Sequence, residues 1–82
     1  MLTDRDRAVL DFAARDLEQR RFGSSAAADE AIVHELGLSA PRYYQLLGRL
    51  LERPEAHAYA PMTVSRLRRL RDQREAARSG VA

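Results

Sequence analysis

AIVHELGLSAPRYYQLLGRLL, residues 31–51, reads as two short helices meeting at a tight turn, Leu36-Gly37-Leu38-Ser39. Gly37 follows an apolar-periodic run (Ile32, Val33, Leu36), where an ending helix needs a residue of positive φ. Glycine takes that conformation without a Cβ clash, so a cap just past the helix end is the natural reading. Two residues later, Ser39 can accept hydrogen bonds from the free N–H groups of a new helix. Pro41 agrees with this, because proline is tolerated in the first helical turn and hardly anywhere later. Leu38, between the two ends, plugs the corner. Helix stop, one buried residue, helix start: this is the pattern of a helix-turn-helix.

The spacing of apolar residues around Gly37 sharpens the reading. Ile32, Val33 and Leu36 before it, and Leu38, Tyr43, Leu46 and Leu47 after it, are expected to face inward when two helices cross steeply around a short turn. Left outside on the second of these helices are Ala40, Pro41, Arg42, Tyr44, Gln45, Gly48 and Arg49. Arginine and glutamine suit base edges, arginine also suits phosphates, and tyrosine hydroxyls contact phosphates. The plainer alternative is a helical hairpin whose solvated face carries Arg and Gln. The turn pattern favours the helix-turn-helix.

The remainder of the chain supports or extends this unit. With 82 residues there is room for one hydrophobic core, and a chain this short gains from a partner or a second copy. The absence of cysteine rules out disulfides, thiolate metal sites and cysteine nucleophiles. No apolar run approaches the ~18 residues that a bilayer span requires. The charged start, MLTDRDR, opens a helix and is unlike a signal peptide. These features lead to the expectation of a cytoplasmic protein without metal or cofactor.

Charge is unevenly distributed. Residues 1–35 hold five Arg against eight Asp and Glu, or −3, and residues 36–82 hold nine Arg against four, or +5. All fourteen basic residues are arginine, whose guanidinium fork pairs with phosphate and guanine bidentately where lysine cannot.

A first helix is expected from Thr3 to about Arg21. Thr3 is the N-cap, Asp6 three residues on completes a capping-box-like pair, and Asp4 favours the helix dipole. Val9, Phe12, Ala13 and Leu17, flanked by Leu10 and Ala14, form its apolar stripe, and Arg20 and Arg21 suit its last turn. Its acidic residues read as a solvated face. Phe22-Gly23-Ser24-Ser25 breaks it, and Ala26–Leu36 forms the second helix with Ala28, Ala31, Ile32 and Leu36 inward; the alternative for Ser24–Ala28 is a flexible linker, against which the alanines favour a frayed helix start. His34 and His57 lack a second ligand nearby and read as ordinary side chains. The third helix runs from Ala40 to about Arg53, because a residue before proline is pushed out of the α region. Pro54–Ala60 reads as a connection with room for one turn, and Tyr59 is expected to pack back on the core. Pro61 opens a fourth helix to about Ala77, with Met62, Val64, Leu67 and Leu70 inward.

The other faces of this last helix carry Arg66, Arg68, Arg69, Arg71, Arg74 and Arg78 against Asp72 and Glu75. Such a helix can reach a phosphate backbone at several points, each contact releasing counterions. The alternative is a solvated helix with internal ion pairs, and the charge imbalance favours polyanion contact. The candidate DNA-contacting residues are therefore Ser39, Ala40, Arg42, Tyr44, Gln45 and Arg49 on the third helix, and Arg66, Arg68, Arg69 and Arg71 on the fourth.

Three segments carry a resemblance. Gly37–Gln45 follows a GLS-x-x-RYYQ pattern, Arg53–Ala56 is RPEA, and Pro61–Arg71 follows P-M-x-V-x-R-L-R-R-L-R. In these the chain resembles a family of small actinobacterial proteins catalogued as a domain of unknown function. Leu2–Phe12 resembles the start of that family, and residues 13–28 depart from its aromatic-rich pattern. The resemblance implies a DNA-associated helix-turn-helix protein and supplies no target.

The expected fold is all-α: a three-helix helix-turn-helix unit over residues 1–60, with a basic fourth helix over 61–82 packed on it or extending from it. No P-loop, dinucleotide glycine pattern, Ser-His-Asp set or metal-spaced cluster appears, so no enzyme is expected. The expected partner is double-stranded DNA in the nucleoid, bound by a small transcription regulator or a nucleoid-associated protein, possible as a homodimer. The alternative is a module docking on the transcription machinery or another acidic protein, with Tyr43, Tyr44 and Leu51 partly exposed for that purpose.

Overall fold

Thr3 and Asp6 start the first helix by capping each other. The Asp6 N–H donates to Thr3 Oγ1 at 3.0 Å, and the Thr3 N–H donates to Asp6 Oδ2 at 3.0 Å. This reciprocal pair satisfies two N–H groups that a helix start leaves orphaned. The chain is known from a computed structural model, which describes the backbone of residues 1–19 and 25–79 and the side chains of 1–19 and 28–77. The expected break at Phe22-Gly23-Ser24, the roles of Arg20 and Arg21, and the Arg78 side chain lie outside the described residues.

Helix is the one regular secondary structure among the described residues, with no strand. Helix α1 is Asp4–Gln19, α2 is Ser25–Ala31 and continues as a π-helical turn over Ile32–Leu36, α3 is Ala40–Leu50, α4 is Pro54–Tyr59 and α5 is Pro61–Ser79. Residues from every helix but α2 form one apolar cluster with Ile32 of the π turn. Val9, Leu10, Phe12 and Ala13 of α1 meet Leu38, Tyr43, Leu47, Leu50, Leu51, Ala56 and Val64 there, with Leu36, Leu46 and Leu67 packed on its margin. No polar or charged side chain is buried among them. The stripe read from α1 is thus the scaffold against which α3 and α5 pack.

Several expectations need correction. Among the described residues five helices replace four, because Pro54–Tyr59 is a helix of its own. Proline fixes φ for a first helical position as well as it ends a preceding helix, and Arg53 before it is extended, with φ −98° and ψ 130°. Val33, expected inside, is 55% exposed. Ile32 and Leu36 already occupy the inward positions of the wider π turn, and Val33 falls outside it. Met62 and Leu70 also face solvent, at 78% and 43% exposure. Among the described residues of α5 only Val64 and Leu67 reach the cluster, and Asp72–Ala77 are exposed in succession, so the helix leaves the body after Arg71. The radius of gyration of 13.0 Å agrees, since a compact chain of this length gives about 12 Å. Tyr59 returns to α1 by a hydrogen bond, its hydroxyl donating to Asp11 Oδ1 at 2.9 Å, instead of entering the core. That bond holds the proton and raises the phenol above its ordinary range.

Arg53 ties the start of α4 to the start of α1. Its Nη1 donates to Asp6 Oδ2 at 3.3 Å and its Nη2 to Glu55 Oε2 at 3.0 Å, while the terminal amine of Met1 lies 3.2 Å from Glu55. The Arg-Pro-Glu run thus serves as a clasp. The Thr3 backbone N–H, followed by the Thr3 hydroxyl and Arg53, holds Asp6 below the usual carboxylate range. The Glu55 backbone N–H, then Arg53 and the terminal amine, bring Glu55 down to about 2. Both pKa values are lowered by folding, so both carboxylates add stability above pH ~4, and that share is lost as pH falls through the folded values. Asp6→Asn is expected to melt earlier than wild type at pH 7, with the gap closing as pH falls below the ordinary carboxylate range. Thermal melts of the two proteins across this range check it; coincident melts at pH 7 would show that the clasp adds nothing.

Candidate nucleic-acid interface

The site is built from the turn upward. Gly37 has φ 67° and ψ 22°, the left-handed conformation that closes a helix, and its N–H donates to Val33 O at 3.0 Å. Leu38 is buried in the corner. Ser39 is extended and its Oγ accepts from the Arg42 N–H at 3.3 Å, so α3 begins with a side-chain cap and Pro41 in its first turn. A helix start fixed on both sides holds the direction of α3, which is what any reading helix requires.

Tyr43, Leu47 and Leu50 turn the buried face of α3 toward α1. The Tyr43 ring meets Phe12 edge-on at 5.4 Å between centroids, and Tyr44 stacks edge-on against Tyr43 at 5.0 Å. Arg42, Gln45 and Arg49 are exposed, and their spacing of three and four places them on one stripe. Tyr44 is exposed as well, on the opposite flank of the helix.

Two candidate residues of α3 stand differently from expectation. Ala40 is half-buried and packs against the core cluster, because the first turn of α3 rests on the corner that Leu38 fills. The Ser39 hydroxyl is exposed but already engaged as the cap acceptor.

On α5, Arg66, Arg68 and Arg69 are exposed, as is Arg74. Among the described residues no carboxylate lies within ion-pair distance of Arg42, Arg49, Arg66, Arg68, Arg69 or Arg74. Arg71 differs. It is half-buried, its Nη1 donates to Glu52 Oε2 at 2.7 Å, and its Nε is 3.7 Å from Asp72 Oδ1. Glu52 follows Arg49 by one turn, its N–H donating to Arg49 O at 3.1 Å. The stripe of α3 therefore ends where α5 is tied down. An open depression along α5, lined by Ser65, Arg68, Arg69, Asp72, Gln73 and Ala76, faces solvent and encloses nothing.

Sequence reasoning missed the Arg53 clasp and the Arg71–Glu52 pair. Both join residues far apart in the chain, and a charge count over a segment does not show which arginines are occupied. A partial signal existed in RPEA, where Arg53 and Glu55 flank a proline that fixes the backbone between them. The acidic residues of the first two helices are partly spoken for too. Arg7 pairs with Asp4, and Arg15 lies 3.2 Å from Glu35 with its guanidinium 5.8 Å from the Phe12 ring centroid. Among the described residues no three His, Asp or Glu side chains come together as metal ligands do, and no helix is long and apolar enough to cross a membrane.

Residues 1–79 match the model of the family described as "Protein of unknown function (DUF3263)", and the chain belongs to that family. No curated protein and no solved structure matches it.

Proposed function

We propose that this DUF3263 protein binds double-stranded DNA. In this reading α1, α2 and α3 form the helix-turn-helix unit, α3 lies in the major groove, and α5 lies along the phosphate backbone. The observation that carries it is the set of exposed arginines without carboxylate partners, Arg42 and Arg49 on a doubly fixed helix and Arg66, Arg68 and Arg69 on the helix tied to its end. Unpaired, exposed guanidinium groups fit a polyanion, with Arg42 and Arg49 two turns apart on α3 and Arg66 and Arg69 one turn apart on α5. A small transcription regulator or a nucleoid-associated protein would both use such a surface. A single reading head of this size gives limited specificity, and pairing of two copies is the usual remedy. The chain would act as a binder and not as a catalyst.

The test is a titration of labelled random duplex DNA by fluorescence anisotropy at rising salt, with the mass in solution measured alongside. If four to six arginines reach phosphates, the slope of log affinity on log salt is expected to be about −4 to −5. A flat salt response, or no binding at about 50 mM salt, rejects the proposal.

The competing reading, a module that docks on an acidic protein with the arginine helix against its acidic surface, has two observations in its favour: Tyr44 and Val33 are exposed, and Arg66, Arg68 and Arg69 are open to an acidic surface as they are to phosphate. It also loses support, because Tyr43 and Leu51, which it needs at the surface, are 2% and 6% exposed. Capture of a protein partner that survives nuclease treatment would favour it, and displacement by DNA would count against it.

A further inference from the structure

Glu52 stands at the junction of α3 and α5. It is the carboxylate that reaches Arg71, at 2.7 Å, and it is itself more than half exposed. Arg68 lies one turn before Arg71 on α5, close enough for its charge to be felt at Glu52. Arg49 lies one turn before Glu52 on α3. Two arginines, Arg71 and Arg68, thus act on one solvent-facing anion, and Arg68 has no ion pair of its own among the described residues. The remaining carboxylates near Arg71 are Asp72, at 3.7 Å from its Nε, and Glu75, which adds to the same field.

We infer that Arg68 and Arg71 form a phosphate-binding position that the Glu52 carboxylate occupies in the free protein. A backbone phosphate diester takes the place of the carboxylate when nucleic acid binds. Both anions offer two oxygens to a guanidinium fork, so the exchange keeps the geometry of Arg71 and changes only its partner. The pair is open to water, and exposed ion pairs of this kind contribute about 0–1 kcal/mol, so exchange is not blocked by the strength of the contact. Hydrogen bonding from Arg71, then its charge and that of Arg68, lowers the Glu52 pKa, so mild acid does not empty the position. Glu52 therefore limits non-specific affinity: each encounter with a phosphate must displace it.

The inference rests on the proposed DNA binding, and the experiment separates the two. Glu52→Gln removes the charge and keeps the shape. Glu18→Gln, an exposed position on α1, makes the same change in net charge far along the chain from the junction. Anisotropy titrations of random duplex DNA are expected to show Glu52→Gln binding about three- to tenfold tighter than wild type at 50 mM salt. Its salt slope is expected to match that of wild type, because Arg71 meets the phosphate in both complexes and only the carboxylate to be displaced differs, so the advantage persists at about 200 mM. Glu18→Gln is expected to show little of this gain in affinity. Adding Glu52→Gln to Arg71→Ala is expected to leave the affinity of Arg71→Ala unchanged, and circular dichroism melts confirm that each variant is folded. Wild-type binding with no gain in Glu52→Gln, or the same gain in the Arg71→Ala background, overturns the inference alone. Absence of binding by wild type and Glu52→Gln alike overturns the proposed function and the inference with it.

Discussion

Leu10→Ala is expected to destabilise the protein by about 3 kcal/mol, within the 2–5 kcal/mol that buried leucine truncations cost. Leu10 is 0% exposed and is among the largest side chains fully enclosed, with Ile32, Val9 and Val64. It sits on α1, which packs against both α3 and α5, so the cavity left behind would open where these helices share one core. A domain of this length has a total stability of about 4–12 kcal/mol. Loss of 3 kcal/mol would consume a large part of it and lower the melting temperature by about 12–24 °C. Met62→Ala removes a side chain of similar volume that is 78% exposed, and is expected to change stability by less than about 0.5 kcal/mol. Thermal melts of both variants by circular dichroism check the pair. A Leu10→Ala melt within about 3 °C of wild type, less than 1 kcal/mol on this scale, would show that α1 is not the scaffold of the fold.

The contrast between Leu10 and Met62 also marks what can be read from this sequence and what cannot. Both are apolar and both lie at helical spacing from other apolar residues. Periodicity locates a stripe on each helix, yet it does not say whether another element lies against the whole length of that stripe. α1 is covered along its buried stripe; α5 is covered only where Val64 and Leu67 touch the cluster. Caps are legible for the opposite reason. Thr3 with Asp6, Gly37, and Ser39 with Pro41 act on backbone groups a few residues away, so their chemistry is decided locally. Pro54 is ambiguous, since the same fixed φ that ends one helix begins another. Val33 is misplaced by periodicity because a π turn alters the register of a helix without any residue in Ile32–Leu36 announcing it. In the candidate interface, residue type and exposure of Arg42, Gln45 and Arg49 follow from the stripe on α3. The state of Arg71 does not, because its partner Glu52 lies nineteen residues away.

Reversing the charge at two positions of α5, Arg66→Glu with Arg69→Glu, is expected to lower affinity for random duplex DNA by about 100-fold or more at 50 mM salt. Both side chains are exposed and neither has a carboxylate within ion-pair distance among the described residues, so the substitutions break no ion pair of the folded chain. Glutamate and arginine have similar helix propensities, and α5 is expected to stay helical. Removing two arginine–phosphate pairs would make the salt slope shallower by about 1.8, and the two new negative charges add repulsion. Arg66→Ala with Arg69→Ala separates these effects: it is expected to show the same change in slope with a smaller loss of affinity. Arg42→Ala, on the stripe that would face the groove, is expected to behave differently. If its guanidinium reads a base edge, discrimination between duplexes falls by about 1–3 kcal/mol at fixed salt; if it meets phosphate, affinity falls evenly across sequences and the slope loses about 1. Loss of affinity in the reversed pair with an unchanged slope would mean that Arg66 and Arg69 touch no phosphate, and α5 would then belong to a protein contact. An unchanged affinity at every salt concentration would remove the arginine helix from the interface altogether, leaving α3 with no backbone support for the groove it is proposed to read.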